Sequence, residues 1–178
     1  DEPFVRVTVK LDQQARDHRL RAHLPLAHRT DHSIAECAYA QVRRPLHAEG
    51  GPGEWGVATF PSRRFVRAGG VLVVHEGLCE YELVDRDGDA AAPGTSAGVL
   101  ALTLVRSTGW LSRGPMTSRP LPAGPEDRLE GAQCRTPLRL RYAVAIDVES
   151  TLDPYVVVDR AFSPLVVTTS AGGGDPRR

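Results

Sequence analysis

Residues 138–146 read LRLRYAVAI, with large apolar side chains at every second position and arginines between the first of them. A period of two is typical of a β-strand that has one face in a hydrophobic core and the other in water. The same alternation occurs in residues 5–10, VRVTVK, and in residues 19–24, RLRAHL. Strands with one solvated face are characteristic of antiparallel sheets, so these segments indicate an antiparallel β-protein.

Two denser apolar runs lie between these segments, at Val71–Val74 and Val99–Val105. Continuous apolar sequence fits central strands that are covered on both faces, so these runs are predicted to form the core. Turn-forming pairs such as Asp87-Gly88 separate most of the strand candidates. The remaining predicted strands are Ile34–Val42, Glu54–Phe60, Cys79–Val84, Tyr155–Val158 and Leu165–Thr168.

No segment keeps apolar residues at helical spacing without an interrupting proline or glycine, so no amphipathic helix is predicted. Many short strands punctuated by glycine and proline favour an all-β antiparallel sandwich, with little or no helix, over a barrel. We predict one sandwich domain over residues 1–170 and a disordered tail at 171–178. Residues 112–137 are rich in Pro, Gly, Arg and Ser, and predict a long loop that binds a ligand or packs on a neighbouring domain.

The charge balance and cysteine content exclude several classes of protein. The chain has 22 basic and 22 acidic residues, so net charge gives no support for a nucleic acid or an anionic membrane as the partner. Cys37, Cys79 and Cys134 are odd in number and far apart, which predicts reduced core residues. Without an apolar span or a signal peptide, the sequence predicts a soluble, cytoplasmic protein. Because it begins at Asp1, we expect a piece of a longer polypeptide.

Two groups of residues resemble metal sites, and in both a structural interpretation is favoured. His28, Asp31 and His32 include zinc-ligand types, but the two histidines would share a face only on a helix, so a polar interstrand loop is expected. The carboxylates around Gly88, at positions 85, 87 and 89, resemble the start of a calcium loop. The downstream glutamate that such a loop needs is missing, so a hairpin turn is expected.

Carboxylates and aromatic residues are the candidates for carbohydrate chemistry. A glycosidase needs two carboxylic acids, and the candidates are Glu76, Glu80 and Glu82. However, the alternation places Glu80 and Glu82 on a solvated strand face. Four aromatic residues are able to stack on sugar rings or to lie in the core. Core packing is preferred for Tyr142, and Trp110 beside the long loop is the best candidate for an exposed ring. These four are Trp55, Tyr81, Trp110 and Tyr142.

Several ordered segments carry a resemblance to a known family. Residues 69–83 read GGVLVVHEGLCEYEL, residues 102–113 read LTLVRSTGWLSR, and residues 131–134 read GAQC. Upstream, residues 29–33 (RTDHS) and 39–45 (YAQVRRP) precede them in the expected order. The series resembles the C-terminal β region of bacterial glycoside hydrolase family 38 α-mannosidases. It departs from that pattern at His75-Glu76, where an Asn-Asp-like pair is expected.

The resemblance implies a retaining exo-α-mannosidase whose zinc ion and aspartate nucleophile belong to a separate N-terminal α/β domain. No catalytic residue, metal ligand or cofactor is therefore expected in this chain, which should not hydrolyse mannosides alone. The implied partners are the catalytic domain of the same polypeptide and a mannose-containing oligosaccharide. Arg106, Ser107 and Trp110 are the candidates for contact with that domain or the sugar, and the alternative is a structural corner that anchors the long loop.

Two other functions stay open at the level of sequence. One is a free-standing carbohydrate-binding or adaptor β-sandwich with no catalytic activity. The other, less favoured, is a hydrolytic site within this chain built on Glu80 and a partner. The hydrolytic site would let the isolated chain hydrolyse a glycoside, whereas the carbohydrate-binding or adaptor domain would not.

Overall fold

A computed structural model describes residues 2–163, apart from residues 86, 90 and 93, and shows two antiparallel sheets packed face to face. This confirms the predicted all-β antiparallel sandwich. The first sheet contains β1, β10, β7, β6, β3 and β4 in that order, and the second contains β2, β9, β8 and β5. The strands are β1 (Val5–Asp12), β2 (Arg19–Thr30), β3 (His32–Cys37), β4 (Ala40–Pro45), β5 (Thr59–Pro61), β6 (Phe65–Ala68), β7 (Val71–Glu76), β8 (Glu80–Val84), β9 (Ala97–Arg106) and β10 (Pro137–Ile146).

The core lies between the two sheets and is formed by the densest apolar runs. β7 and β9 occupy interior positions of their sheets, and most of their side chains are buried, as the sequence predicts. Val71 and Val73 of β7 belong to the same buried cluster as Leu100 and Leu102 of β9. Burial of apolar surface is the main favourable contribution to folding, so these two strands hold the sandwich together.

Alternation in β1 and in the first half of β10 appears as predicted. The second half of β10 departs from it, because Ala143 and Ala145 are buried on the face predicted to be solvated, and Ile146, predicted to face the core, is 66% exposed. The two strands pair antiparallel, with Val7 opposite Tyr142 and Val9 opposite Leu140. Tyr142 is buried in the main core cluster, and Val7 and Val9 pack against it. The arginines between the apolar residues of β10 lie on the other face of the sheet.

Two of the predicted strands are wrong in extent. The segment Ile34–Val42 is not one strand, because Tyr39 adopts a left-handed conformation with φ of 65° and reverses the chain into the β3–β4 hairpin. The segment Glu54–Phe60 is mostly loop, and only the three residues of β5 pair with β8. At Tyr39 the turn lacks the glycine or proline signal that would have predicted it.

The predicted strand Tyr155–Val158 is wrong, because these residues belong to a nine-residue α-helix, α1 (Pro154–Phe162). The side chain of Asp153 accepts a hydrogen bond from the Tyr155 backbone N–H at 2.9 Å and caps the helix, and Pro154 occupies its first turn. Val157, Val158 and Ala161 face a second buried cluster on the outer side of the six-stranded sheet. Tertiary packing thus overrides the strand preference of three consecutive valines.

The predicted strand Leu165–Thr168 and the tail at 171–178 lie outside the described residues. Cys37 is half-buried, whereas Cys79 and Cys134 are exposed, so the expectation of core cysteines was wrong for these two. Within residues 2–163, as far as they are described, no helix is long and apolar enough to cross a membrane.

Candidate functional site

The base of the long connection between β9 and β10 is held by Gln133, a buried side chain in a single 3-10 turn, Gly131–Gln133. Its amide oxygen accepts a hydrogen bond from the Asp17 backbone N–H at 2.9 Å, and its amide nitrogen donates to Asp17 Oδ1 at 3.0 Å. The same carboxylate oxygen accepts the Gly109 backbone N–H at 2.8 Å. These hydrogen bonds hold the pKa of Asp17 below its ordinary value.

Ser107 completes this corner from the end of β9 and is buried, with 5% of its surface exposed. Its hydroxyl donates to the Gln133 carbonyl oxygen at 2.9 Å and accepts a hydrogen bond from the Gln13 side-chain nitrogen at 2.9 Å. The hydroxyl of this candidate residue is thus used inside the domain, which corresponds to the structural-corner interpretation. We call the group the loop clamp, and its members are Gln13, Asp17, Ser107, Gly109 and Gln133.

Outside the loop clamp lies a cleft of about 550 Å³ beside Trp110, which we call the Trp110 cleft. The two limbs of the loop pair around it, since the Leu111 N–H donates to the Asp127 carbonyl and the Leu129 N–H donates to the Gly109 carbonyl, both at 2.9 Å. The pairing gives the cleft an ordered rim. Its lining includes Asp17, Arg106, Trp110, Arg113, Met116 and Arg119.

Two arginines lie against the indole ring of Trp110. The guanidinium carbon of Arg128 is 4.6 Å from the ring centroid, and that of Arg113 is 5.6 Å away. Cation–π attraction at partly exposed sites contributes about 0.5–1 kcal/mol each, enough to favour one orientation of a long side chain. Trp110 therefore orders Arg113, which lines the cleft, and its ring is already in contact with protein.

Arg106 extends from the end of β9 toward the Trp110 cleft. Its side chain is 70% exposed, and its Nη1 lies 3.0 Å from Glu80 Oε2. The other oxygen of Glu80 accepts a hydrogen bond from the Thr103 hydroxyl at 2.8 Å. Arg106 is thus half-anchored, with much of its guanidinium group open to a ligand or a partner domain.

The predicted solvated face for Glu80 and Glu82 is wrong. The Glu82 side chain is only 8% exposed, because Arg19 and Arg21 of β2, which lies beyond β9 in the same sheet, reach across and cover it. Arg21 Nη1 lies 2.7 Å from Glu82 Oε2, and Arg19 Nη2 lies 3.1 Å from the same atom. The Glu82 carboxylate is already engaged by two guanidinium groups and covered by them, so it is not open to a glycosidic bond and this pair does not form a glycosidase acid and base.

A serine and a histidine meet elsewhere in the structure. Ser62 Oγ lies 2.7 Å from His75 Nε2, and both residues are buried. The Ser62 hydroxyl donates to the Phe65 carbonyl at 3.0 Å, which leaves His75 Nε2 as the donor in the other bond. A nucleophile would need the opposite arrangement, together with access for a substrate. The pair is therefore structural.

The sequence candidates for metal sites take other roles. His28 lies in β2, Asp31 forms the short connection that follows it, and His32 begins β3. Near Gly88, the Asp85 N–H donates to the Asp89 carbonyl at 2.8 Å, which makes a turn of that segment. In the described part of the chain no group of three or more His, Cys, Asp or Glu residues is placed to hold a metal ion. The described residues do not fit a zinc site of their own.

The four aromatic candidates divide into two pairs. Tyr81 and Tyr142 are buried in the core. Trp110 is half-buried at its cleft, and Trp55 is 61% exposed. The sequence pointed to Arg106 and Trp110 at the cleft but missed Asp17, Arg113 and Arg119. Asp17 lies far from the others along the chain, so only the fold brings it there, and the two arginines belong to a loop without periodicity that gives no sign of which side chains face the cleft.

Gln133→Ala is expected to lower the free energy of unfolding by about 2 kcal/mol, because it removes a buried side chain together with both of its hydrogen bonds to Asp17, one to the backbone N–H and one to the carboxylate. Chemical denaturation measures this change. Gln14→Ala is the matched control, since the Gln14 side chain is exposed and, within the part of the chain that the structure describes, bonds to the Asp12 carboxylate alone. Equal stability of the two variants would contradict the role assigned to the loop clamp.

The structure thus defines an antiparallel β-sandwich with a loop-built cleft where β9 ends and β10 begins. No protein-family model and no curated protein matches the chain. Its fold is similar to that of an α-mannosidase from Enterococcus faecalis V583, with a TM-score of 0.56 and 23% sequence identity over 81% of this chain and 14% of that one. A protein in glycosyl hydrolase family 38 from Enterococcus faecalis has a TM-score of 0.55 and the same identity and shares. The chain therefore spans about one seventh of the solved proteins that share its fold.

Proposed function

We propose that this chain is the C-terminal accessory domain of a retaining, zinc-dependent α-mannosidase that removes terminal α-linked mannose. Its role is to pack on the catalytic domain of the same polypeptide and to complete one wall of the substrate cleft. The observation that carries the proposal is the coincidence of two independent similarities. The fold is that of a portion of solved α-mannosidases, and the family-like segments LTLVRSTGWLSR and GAQC meet at the loop clamp.

The Trp110 cleft supplies the chemistry for this role. Asp17 is an acceptor for sugar hydroxyls, and its lowered pKa keeps it ionised at neutral pH. Arg106 and Arg113 are exposed donors on the same cleft. Convergent acceptors and donors in a concave site are what a polyhydroxylated ligand requires. The acids Glu80 and Glu82 are engaged with arginines, which supports a binding role without catalysis.

The test is hydrolysis of an aryl α-mannoside, with added zinc, by this chain and by the full-length product of the same gene. Activity in the full-length protein and none in the 178-residue chain is the expected result. Activity of the chain alone would overturn the proposal. Absence of activity in both would favour a carbohydrate-binding β-sandwich without an enzyme, which the two partly exposed tryptophans also favour as the second candidate.

In the full-length enzyme, Trp110→Ala is expected to raise KM about tenfold with a smaller change in kcat, because the variant loses a ring that lines the cleft and orders Arg113 there. Trp110→Phe keeps a ring and should remain near the wild-type value. Leu121→Ala is the matched control on the same loop, since Leu121 is 73% exposed and lies outside the cleft lining. An unchanged KM in Trp110→Ala would contradict a role of this cleft in substrate binding.

A further inference from the structure

The chain has two tryptophans, and the indole ring of the other one, Trp55, is largely exposed. It lies in the loop between β4 and β5 and is 61% exposed, beside Val57, which is 46% exposed. Trp110 has arginines against its ring, whereas no cation–π contact involves Trp55 among the described residues. An exposed indole loses the benefit of burial, so a ring left open in this way is available to a ligand.

The loop holds Trp55 in a defined position. Gly51 and Glu54 exchange two backbone hydrogen bonds, at 3.1 and 3.0 Å, which close a tight turn just before Trp55. The Ala48 N–H donates to the Val57 carbonyl at 2.9 Å and joins the two ends of the loop. A ring on a closed loop loses less conformational entropy on binding than one on an open chain.

A second cleft, of about 250 Å³, lies beside this ring, and we call it the Trp55 cleft. Its lining includes the exposed acids Glu49 and Glu54, together with Ser118 and Arg119 from the long loop. Arg119 Nη1 lies 3.4 Å from Glu54 Oε1. Two acids and one arginine give the cleft a net negative charge, which disfavours phosphates and acidic sugars. An open indole with carboxylate acceptors suits the apolar face and the hydroxyls of a neutral sugar.

The two clefts are neighbours on the same loop. Met116 and Arg119 exchange backbone hydrogen bonds at 2.8 and 3.1 Å and form a tight turn. Arg119 lines both clefts. The Trp55 N–H donates to the carbonyl of Ser118 at 2.8 Å, which fixes the Trp55 loop to this turn. The turn therefore separates two adjacent hydrogen-bonding sites.

We propose that the Trp55 cleft is a second carbohydrate subsite, which binds a neutral sugar unit of an oligosaccharide whose other end occupies the Trp110 cleft. The inference rests on the proposed function, which supplies mannose as the sugar, and extends it from a single terminal residue to a chain of several. Trp55 stacks on the sugar ring, and Glu49 and Glu54 accept hydrogen bonds from its hydroxyls. Oligosaccharides should thus bind more tightly than mannose.

The presence of only two tryptophans makes a direct experiment available. In the Trp110→Phe variant of this chain, Trp55 is the sole tryptophan, and its fluorescence is excited where tyrosine does not absorb. Titration with α-linked mannotriose is expected to change the Trp55 emission, whereas the same concentration of mannose should not. The Trp55→Phe variant, which leaves Trp110 as the sole tryptophan, is the matched reporter on the neighbouring cleft.

The contribution of the ring to binding is measured separately by calorimetry. Trp55→Ala is expected to weaken mannotriose binding about tenfold and to leave mannose binding unchanged, and Leu121→Ala should change neither. If Trp55→Ala does not fold, the fluorescence titration still decides the matter, because it keeps Trp55 in place. If the Trp55 emission does not change with mannotriose but the full-length product hydrolyses mannosides, the subsite is overturned and the proposed function stands. If the Trp55 emission changes but the full-length product has no mannosidase activity, the sugar site stands and the mannosidase is refuted.

Discussion

Replacing Arg67 with methionine is expected to lower the free energy of unfolding by about 3–5 kcal/mol, which is what removal of one partner from a buried ion pair costs. Arg67 Nη2 lies 2.9 Å from Asp147 Oδ2, and the Asp147 side chain is only 1% exposed. The same guanidinium group also donates to the Leu152 carbonyl. Without Arg67, the carboxylate of Asp147 would remain buried without its counter-charge.

The loss should extend to the helix that follows. Asp147 Oδ1 accepts the backbone N–H groups of Thr151 and Leu152, at 2.8 and 3.2 Å, and so fixes the turn that leads into α1. Urea denaturation monitored by circular dichroism measures the change. Arg43→Met is the matched control, because its ion pair with Asp31 spans 3.7 Å and both side chains are more than 60% exposed. Exposed pairs contribute about 0–1 kcal/mol.

A second substitution sharpens the test. Adding Asp147→Asn to Arg67→Met removes the buried charge and is expected to recover part of the lost stability, since a neutral amide is less costly to bury than an unpaired carboxylate. If Arg67→Met alone were no more destabilising than Arg43→Met, the ion pair would not be the support of α1 described above.

Stability should also fall as the pH is lowered, by roughly 3 kcal/mol from His75 alone. Burial lowers the pKa of His75 to about 4, although the nearby Glu36 carboxylate opposes this change. Its Nδ1 is buried and meets no hydrogen-bond partner among the described residues, so a proton added there would place a charge and an unpaired N–H in the core. The folded state therefore favours neutral His75.

The direction and range of this effect follow from the two pKa values. In the unfolded chain the pKa of a histidine is about 6.5. Above that pH neither the folded nor the unfolded state binds the proton, so His75 does not reduce the free energy of unfolding. As the pH falls from about 6.5 to about 4, the unfolded chain takes up the proton and the folded protein does not, so stability is lost through this window. Below pH 4 both states are protonated, and this contribution becomes constant.

The measurement is the free energy of unfolding between pH 7.5 and 4, approximately, for the wild type and His75→Gln. Glutamine keeps a donor for Ser62 but does not titrate. The difference between the two proteins should therefore change by roughly 3 kcal/mol across the window, whereas titration of other groups cancels. Parallel curves would show that His75 is not the group responsible.

The sandwich could be predicted from the sequence because most strands have a recognisable local pattern of apolar residues. β1, β2 and β10 follow a period of two, and β7 and β9 are continuous apolar runs, so each strand carries its own evidence. The β3–β4 hairpin was missed because Tyr39 turns the chain without glycine or proline. Helix α1 had a signal in Asp153-Pro154, a cap followed by a first-turn proline, but the valine run that follows it outweighed that signal.

The site was predicted less completely than the fold. Arg106 and Trp110 lie in a distinctive local segment, and both line the Trp110 cleft. Asp17 reaches that cleft from 92 residues away in sequence, and nothing around it in the chain indicates this partner. Glu80 and Glu82 were placed in water because alternation reports only which face of the strand a residue occupies. The arginine that pairs with both of them, Arg19, comes from β2, on the far side of β9 from β8.

Because the loop clamp fixes both ends of the long connection, the length of this loop can change without disturbing the sandwich. Its hydrogen bonds join the point where the loop leaves β9 to the point just before it enters β10, so the intervening residues enclose a closed ring of chain. Insertions or deletions between Gly114 and Glu126 would alter the reach and the chemistry of the tip without shifting any strand. Such a clamp allows the loop to change in length and sequence, in evolution or in the laboratory, while the scaffold keeps its geometry.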